Sequence, residues 1–251
     1  MTNSLDLSVV IPCFNENPHI EAVLTDWLEE LRYKQLAFEL VIINDGSLDG
    51  TGRVLDKLRK EHTEIRVIHQ LNMGHVRACR RGYEAARGRY ILSISANGRC
   101  EPSDFSVLWD KKGTHELILG QRTHRLDGWM SRQFTRFLSG LAYRLFSIRL
   151  AEPGIPFRLF LRKPALDLMP MIPIEWESFH WAMTLLFTLQ SQQPVLEVQV
   201  PYRHRLERKS PFHRTGLIRL SWTYFLESLQ LKFKVLRSKS FATALVPQTQ
   251  L

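Results

Sequence analysis

Short polar turns, scattered arginines and three cysteines are the parts of this chain that could do chemistry. Glu16 closes the segment Pro12-Cys13-Phe14-Asn15-Glu16, and Asp45 lies in the turn Asn44-Asp45-Gly46-Ser47. A carboxylate in such a place can accept hydrogen bonds from a ligand, or cap its own turn as Asp-Gly turns commonly do. Leu71-Asn72-Met73-Gly74 and Ser95-Ala96-Asn97-Gly98 add amide and hydroxyl groups. Arg122, Arg136 and Arg158 carry guanidinium forks that suit phosphate oxygens, with a solvated helix face as the plainer alternative. Arg203, His204, Arg205, Arg208 and Lys209, followed by Ser210, form a basic loop that can close over an anion or simply be solvated. Cys13, Cys79 and Cys100 are odd in number and lack metal-ligand spacing, so they read as small, partly buried thiols.

The elements that must position these groups alternate. Ser8 to Pro12 is a short apolar run, a buried strand, and Asn17-Pro18 supplies an N-cap and a first helical residue. Ile20, Val23, Leu24, Trp27, Leu28 and Leu31 then share one helical face. Strands are expected at 38–43, 65–69 and 90–94, with helices at 51–61 and 74–87 between them. Such alternation implies a parallel sheet with right-handed crossovers, and ligands gather outside the carboxyl ends of its strands. The polar turns all fall there. The second half is less regular: strands are expected at 116–120, 157–161 and 195–200, and helices at 129–148 and 176–189. We divide the chain into a main domain over 1–215, an amphipathic basic helix over 216–238 and a disordered tail over 239–251.

The chain is 251 residues long, 44% hydrophobic and 24% charged, which excludes a wholly disordered protein. No stretch approaches the roughly 18 uncharged apolar residues of a membrane span. The N-terminus lacks a basic region before its first apolar run, so a cytoplasmic location is expected. A formal net charge of +9 suits anionic partners, among them nucleotide diphosphates and lipid surfaces. No recognised nucleic-acid module accompanies it, and no nucleic-acid partner is expected.

Val9 to Glu16 followed by Val41 to Thr51 resembles the start of the family 2 glycosyltransferases, and Asn72-x-Gly74, Ala78, Gly82, Ala85-Ala86 and Gly88 continue the likeness. Within that family the second half resembles the dolichol-phosphate mannosyltransferase branch, through Gly120-Gln121-Arg122, Arg136-x-x-Ser139, Glu152-Pro153-x-x-x-Phe157-Arg158 and Arg205-x-x-Arg208-x-Ser210. The resemblance implies a GT-A-like α/β fold with a mainly parallel sheet flanked by helices. It implies a nucleotide-diphosphate-sugar donor held by Pro12, Phe14, Glu16, Asp45, Asn72, Ser95 and Asn97, and a lipid-phosphate acceptor met by Arg158, Arg205 and Ser210. Pro12 and Phe14 would wall the base, while Asp45 or Glu16 would accept from its N–H groups or the ribose.

The pattern also departs from the family. Asn44 stands for the first Asp of Asp-Asp-Gly-Ser, Gly88-Arg89 for Gly-Asp, and Ser95-Ala96-Asn97 for the metal-binding Asp-x-Asp. A hard cation wants carboxylate oxygens, so a Mg or Mn cofactor is disfavoured, with Asn97 and Glu101 as weak ligand candidates. Arg99, with Arg122 and Arg136, is the expected catalytic cation set, neutralising the leaving diphosphate. The resulting expectation is an enzyme that moves a sugar from a nucleotide-diphosphate sugar to a polyprenyl phosphate or other lipid or hydroxyl acceptor, without metal. It would sit peripherally at the inner face of a membrane. The alternative is a catalytically degenerate relative that binds a nucleotide sugar or a partner and regulates.

Overall fold

The computed structural model describes residues 5–98, 100–122, 129–152, 154–191, 195–201 and 214–238. Its centre is a seven-stranded sheet: β1 (Leu7–Cys13), β2 (Phe38–Asp45), β3 (Ile65–Gln70), β4 (Tyr90–Ser93), β5 (Leu117–Arg122), β6 (Arg158–Leu161) and β7 (Leu196–Val200). Every residue of β1 and β2 is buried, as expected of near-continuous apolar runs covered on both faces. The spatial order is β3-β2-β1-β4-β6-β5-β7. The pairs β1–β2, β2–β3, β1–β4 and β5–β7 are parallel, and β6 runs antiparallel to both β4 and β5. The mainly parallel α/β fold expected from the alternation is the one observed.

Helices α1 (Asn17–Tyr33), α2 (Thr51–Glu61) and α3 (His75–Ala85) make the crossovers between the first four strands. Gly82 lets α3 approach closely, since a Cβ there would lie 2.3 Å from Val10 Cγ1. After α4 (Phe105–Trp109) come α5 (Trp129–Phe146), α6 (Arg162–Leu168), α7 (Phe179–Gln190) and α8 (Arg214–Arg237). Helices α3 and α8 start within two residues of expectation, and two other helix starts have a visible cause. Glu16, not Asn17, is the cap of α1, because Asn17 turns its side chain to the Asp49 carbonyl and Thr51 Oγ1 accepts the Glu16 N–H. Helix α7 starts at Phe179 rather than Trp176, because Glu227 on α8 accepts the Glu177 and Ser178 N–H groups ahead of it. That carboxylate sits where a helix N-terminus favours negative charge.

Helix α8 is therefore docked on the body of the molecule. Leu231 and Val235 are fully buried, and Trp181 Nε1 donates to Ser228 Oγ at 2.9 Å. The tail over 239–251 lies outside the described residues.

The chain returns from β3 to place β4 on the other side of β1, so β1 and β4 flank a reversal of strand order. Crevices form at such reversals, outside the carboxyl ends of the strands. Strand β5 is antiparallel to β6, itself antiparallel to β4, so β5 also ends on this rim.

Candidate active site

The rim is assembled by hydrogen bonds between two loops that are distant in sequence. Asn15 N donates to Ser47 Oγ, Leu48 N to Asn15 Oδ1, and Asn17 N to Asp49 Oδ2. Each is a side-chain-to-backbone bond that satisfies a group the strands leave orphaned. The Pro12–Glu16 and Asn44–Thr51 motifs are thus two halves of one structure. Gly46, at φ +73°, brings this turn against the next loop, where a Cβ would lie 2.7 Å from Asn72 N. Only glycine fits that approach and that backbone angle without strain.

A cleft of about 340 Å³ opens there, lined by Pro12, Cys13, Phe14, Glu16, Asp45, Asn72, Gly74, His75, Ala78, Ser95, Ala96 and Asn97. Pro12, Phe14, Glu16, Asp45, Asn72, Ser95 and Asn97, predicted from sequence, all line it. Its size is that of a small-molecule site. Phe14 is 37% exposed, an apolar wall facing solvent across the cleft mouth. A second cleft of about 150 Å³ shares Ser95 and Asn97 with the first and continues past Cys100, Asp104, Gly120, Ile155, Phe157 and Val200. The Gly120 and Phe157 motifs meet here: Gly120 N donates to the Phe157 carbonyl at 2.9 Å, and a Cβ on Gly120 would lie 2.5 Å from the Phe157 ring.

Asp45 has a double duty. Its Oδ1 accepts from Gln70 Nε2 and Met73 N, and its Oδ2 from Gly74 N, at 2.7, 2.8 and 2.9 Å. It ties down the neighbouring loop that opens α3 while it lines the cleft wall, and the cap of its own turn comes from Asn44, which accepts the Ser47 N–H. Asn44 faces away, with Oδ1 accepting the Ser47 N–H and its amide 2.9 Å from His69 Nδ1. The missing carboxylate at position 44 therefore takes nothing from the cleft.

The arginines divide. Arg158, expected at the acceptor phosphate, is instead 2% exposed inside the protein. Its Nε and Nη2 both donate to the Ile155 carbonyl, and Nη1 to the His180 carbonyl and Thr184 Oγ1. Burial lowers its pKa, and its donors are taken by the protein rather than presented to a ligand. Arg89, which sits with Arg99 in the departing stretch, is exposed ahead of β4, at the opposite end of that strand from the cleft. Arg136 is exposed on α5 and lines neither cleft. Arg122 ends β5 on the cleft rim. Arg99, Arg205 and Ser210 lie outside the described residues. Glu101 precedes a short helical turn at Pro102–Asp104 and lines neither cleft.

The turn after β4 offers a hard cation a hydroxyl and an amide, and the Asp45 oxygens are engaged by three N–H donors. The turn itself thus offers a hard cation no charged oxygen, and the other carboxylates lining the two clefts are those of Glu16 and Asp104. His75 in the cleft wall and His180 behind it have pKa values lowered by desolvation among the surrounding protein groups, His180 strongly so, with the Arg158 charge adding to the effect. Sequence reasoning missed His75 and Ala78. Their signal was present, since the first turn of a helix that follows a rim loop must face the rim.

A mainly parallel sheet with a cleft at its strand reversal, walled by Pro12, Phe14, Asp45 and Asn97, is the architecture of the GT-A glycosyltransferases. Glucosyl-3-phosphoglycerate synthase from Mycobacterium tuberculosis, solved with Mn2+, UDP and glucosyl-3-phosphoglycerate, superposes with a TM-score of 0.66 at 18% identity, over 91% of this chain and 80% of that one. Mannosyl-3-phosphoglycerate synthase from Rubrobacter xylanophilus gives 0.62 at 14% identity, over 94% and 76%. The model of glycosyl transferase family 2 matches residues 8–167, and the chain belongs to that family. Among its relatives, the dolichyl-phosphate beta-glucosyltransferase of Dictyostelium discoideum is 27% identical over 92% of this chain and 78% of its own length. That of Drosophila melanogaster is 29% identical over 78% and 67%. These relatives are named for glucose transfer to a dolichyl phosphate, whereas the second-half motifs resemble the mannosyltransferase branch.

Proposed function

We propose that this protein transfers a sugar from a nucleoside-diphosphate sugar to a polyprenyl phosphate, without a divalent ion at the turn after β4. The observation that carries the reading is the first cleft: residues from four separate rim segments, each predicted from sequence, line it together. The relatives named as dolichyl-phosphate glucosyltransferases supply the acceptor class.

In this reading Pro12 and Phe14 wall the base, while Asp45 and Glu16 accept from base and ribose. The diphosphate reaches the Ser95–Asn97 turn, and the sugar points into the second cleft beneath Gly120 and Phe157. An acceptor phosphate is already an anionic nucleophile, so it needs alignment and charge neutralisation more than a general base. Its oxygen forms the new bond to the anomeric carbon as the bond to the diphosphate breaks. Arg99 and Arg122 are assigned to the charge that develops on the leaving group, where electrostatic stabilisation acts most strongly. Arg158 is reassigned as a positioning residue that holds the 155–158 segment of the second cleft.

The lipid half of the acceptor fits the outer surface. Among the described residues no helix is long and apolar enough to cross a membrane. Helices α5 and α8 instead form an apolar groove of about 690 Å³, lined by Trp129, Met130, Phe134, Phe137, Leu217, Ile218, Trp222 and Phe225. Trp129, Ile218 and Trp222 are 63%, 74% and 62% exposed, and Lys232, Lys234 and Arg237 follow along α8. That combination suits a peripheral lipid interface, with the 203–209 basic loop, outside the described residues, as its second contact.

The test is transfer from radiolabelled UDP-glucose and GDP-mannose to a short polyprenyl phosphate, with and without chelator. Lipid-linked product formed equally in both conditions is expected. Donor binding without transfer to any polyprenyl phosphate would overturn the reading.

A further inference from the structure

Helix α3 carries His75 and Cys79 one turn apart, so both side chains fall on one face. Helix α7 brings His180 to that face from the other end of the sequence, its ring centroid 5.7 Å from that of His75. Cys79 Sγ lies 3.5 Å from His75 Nε2, and one ligand atom from each of the three residues lies within 4.8 Å of the others. Zinc bonds of about 2.0–2.3 Å to nitrogen and sulfur place tetrahedral ligand atoms roughly 3.3–3.8 Å apart. The His75–Cys79 edge already has that length, and closing the others takes on the order of 1 Å of side-chain movement.

We propose that His75, Cys79 and His180 form a binding site for a thiophilic divalent ion, zinc by its chemistry, which clips α3 to α7 at the wall of the first cleft. The donor set is imidazole, thiolate and imidazole, with no carboxylate. That selects zinc over the hard ions a sugar-nucleotide site would otherwise use. Three protein ligands leave the fourth position to water. The outer shell is in place as well. The Tyr83 hydroxyl donates to Ser93 Oγ at 2.8 Å and lies 3.0 Å from His180 Nε2, which orients that ring and fixes its tautomer. On binding, the Cys79 thiol gives its proton to solvent as the Zn–S bond forms. The site then gains one net positive charge. The charged groups whose fields reach it are the Arg158 guanidinium and the Asp45 carboxylate. The site shares His75 with the wall of the first cleft and uses none of the Ser95–Asn97 turn.

Cobalt(II) titration of the metal-free full chain tests this by absorption. One equivalent should give a thiolate-to-cobalt charge-transfer band and strong visible bands of four-coordinate type, both abolished by zinc. Cys79→Ser should remove the charge-transfer band and Cys100→Ser should leave it. His75→Gln, at the accessible first turn of α3, is the variant that keeps the core intact. It should weaken the ion by at least the 10–100-fold that losing an orienting partner costs. No charge-transfer band with stoichiometric cobalt, a band surviving Cys79→Ser, or an affinity unchanged in His75→Gln would overturn the site. The spectrum uses no sugar nucleotide, so a failure of transferase assays leaves it standing.

Discussion

Asp45 holds three protein hydrogen bonds while it lines the donor cleft, so its substitution tests stability and affinity together. Asp45→Asn keeps the shape but puts an amide nitrogen opposite an N–H donor, either that of Gly74 or those of Gln70 and Met73. A buried donor left without its charged acceptor costs about 1.5–3 kcal/mol. Urea unfolding should show a loss of that size. Calorimetry should show donor affinity about tenfold weaker, the equivalent of ~1.4 kcal/mol. Unchanged affinity in the destabilised but folded variant would confine Asp45 to holding the loop ahead of α3. The Ser95–Asn97 turn makes a sharper case, because it sits between the two clefts with no carboxylate of its own. Restoring both carboxylates, Ser95→Asp with Asn97→Asp, adds negative charge beside a bound diphosphate. Transferase activity that resists chelation should not rise in this variant, and it should fall through repulsion of the donor. Should the double variant instead gain metal-dependent turnover that the parent lacks, the catalytic assignment of Arg99 is wrong.

At the level of elements, the first four strands were legible because each is an apolar run closed by a polar turn, and their alternation with helices implies a parallel sheet. The donor cleft was legible for the same reason, since its walls are those turns. The second half resisted reading. The antiparallel insertion of β6 between β4 and β5 follows from long-range pairing, with Ser93 opposite Arg158, which no local pattern reports. Arg158 was misplaced for that reason: a guanidinium within an apolar segment looks like a surface cation until the carbonyls of Ile155 and His180 are seen around it. Cys79 read as a small buried thiol, because its partner His75 is one helical turn away and His180 lies on another helix, a grouping that only the fold makes. Gly120 and Phe157 read as weak separate motifs, although the structure makes them one contact. Gly120→Ala should therefore cost about 1–3 kcal/mol by overpacking against the ring. Combining it with Phe157→Leu should recover part of that loss in denaturant unfolding, because the ring edge that clashes is gone. Strict additivity of the two changes would show that the contact does not limit the packing.

At the scale of the whole molecule, two separate surfaces stand out. The donor cleft opens at the carboxyl rim of the sheet, and the α5–α8 groove offers an apolar bed beside a basic helix end. The inward face of α8 is committed to the fold through Glu227, Ser228, Leu231 and Val235, so its outward residues are free to meet another phase. Ile218, Trp222, Leu226, Phe233 and Leu236 are all exposed there, more large apolar side chains than a solvated helix needs. In the proposed lipid contact, a net charge of +9 would bias the approach to anionic lipid, and the groove would supply the short-range term. The two contributions separate by salt, since screening over a Debye length of about 8 Å at physiological ionic strength weakens the first and not the second. Co-sedimentation with vesicles containing anionic lipid should fall steeply as salt rises, and vesicles of neutral lipid should bind weakly throughout. Trp222→Ser with Ile218→Ser should reduce binding at every salt concentration while leaving donor affinity in solution unchanged, because neither residue lines the donor cleft. Binding that ignores both lipid charge and salt, and survives the double substitution, would place the lipid contact on another face of the molecule.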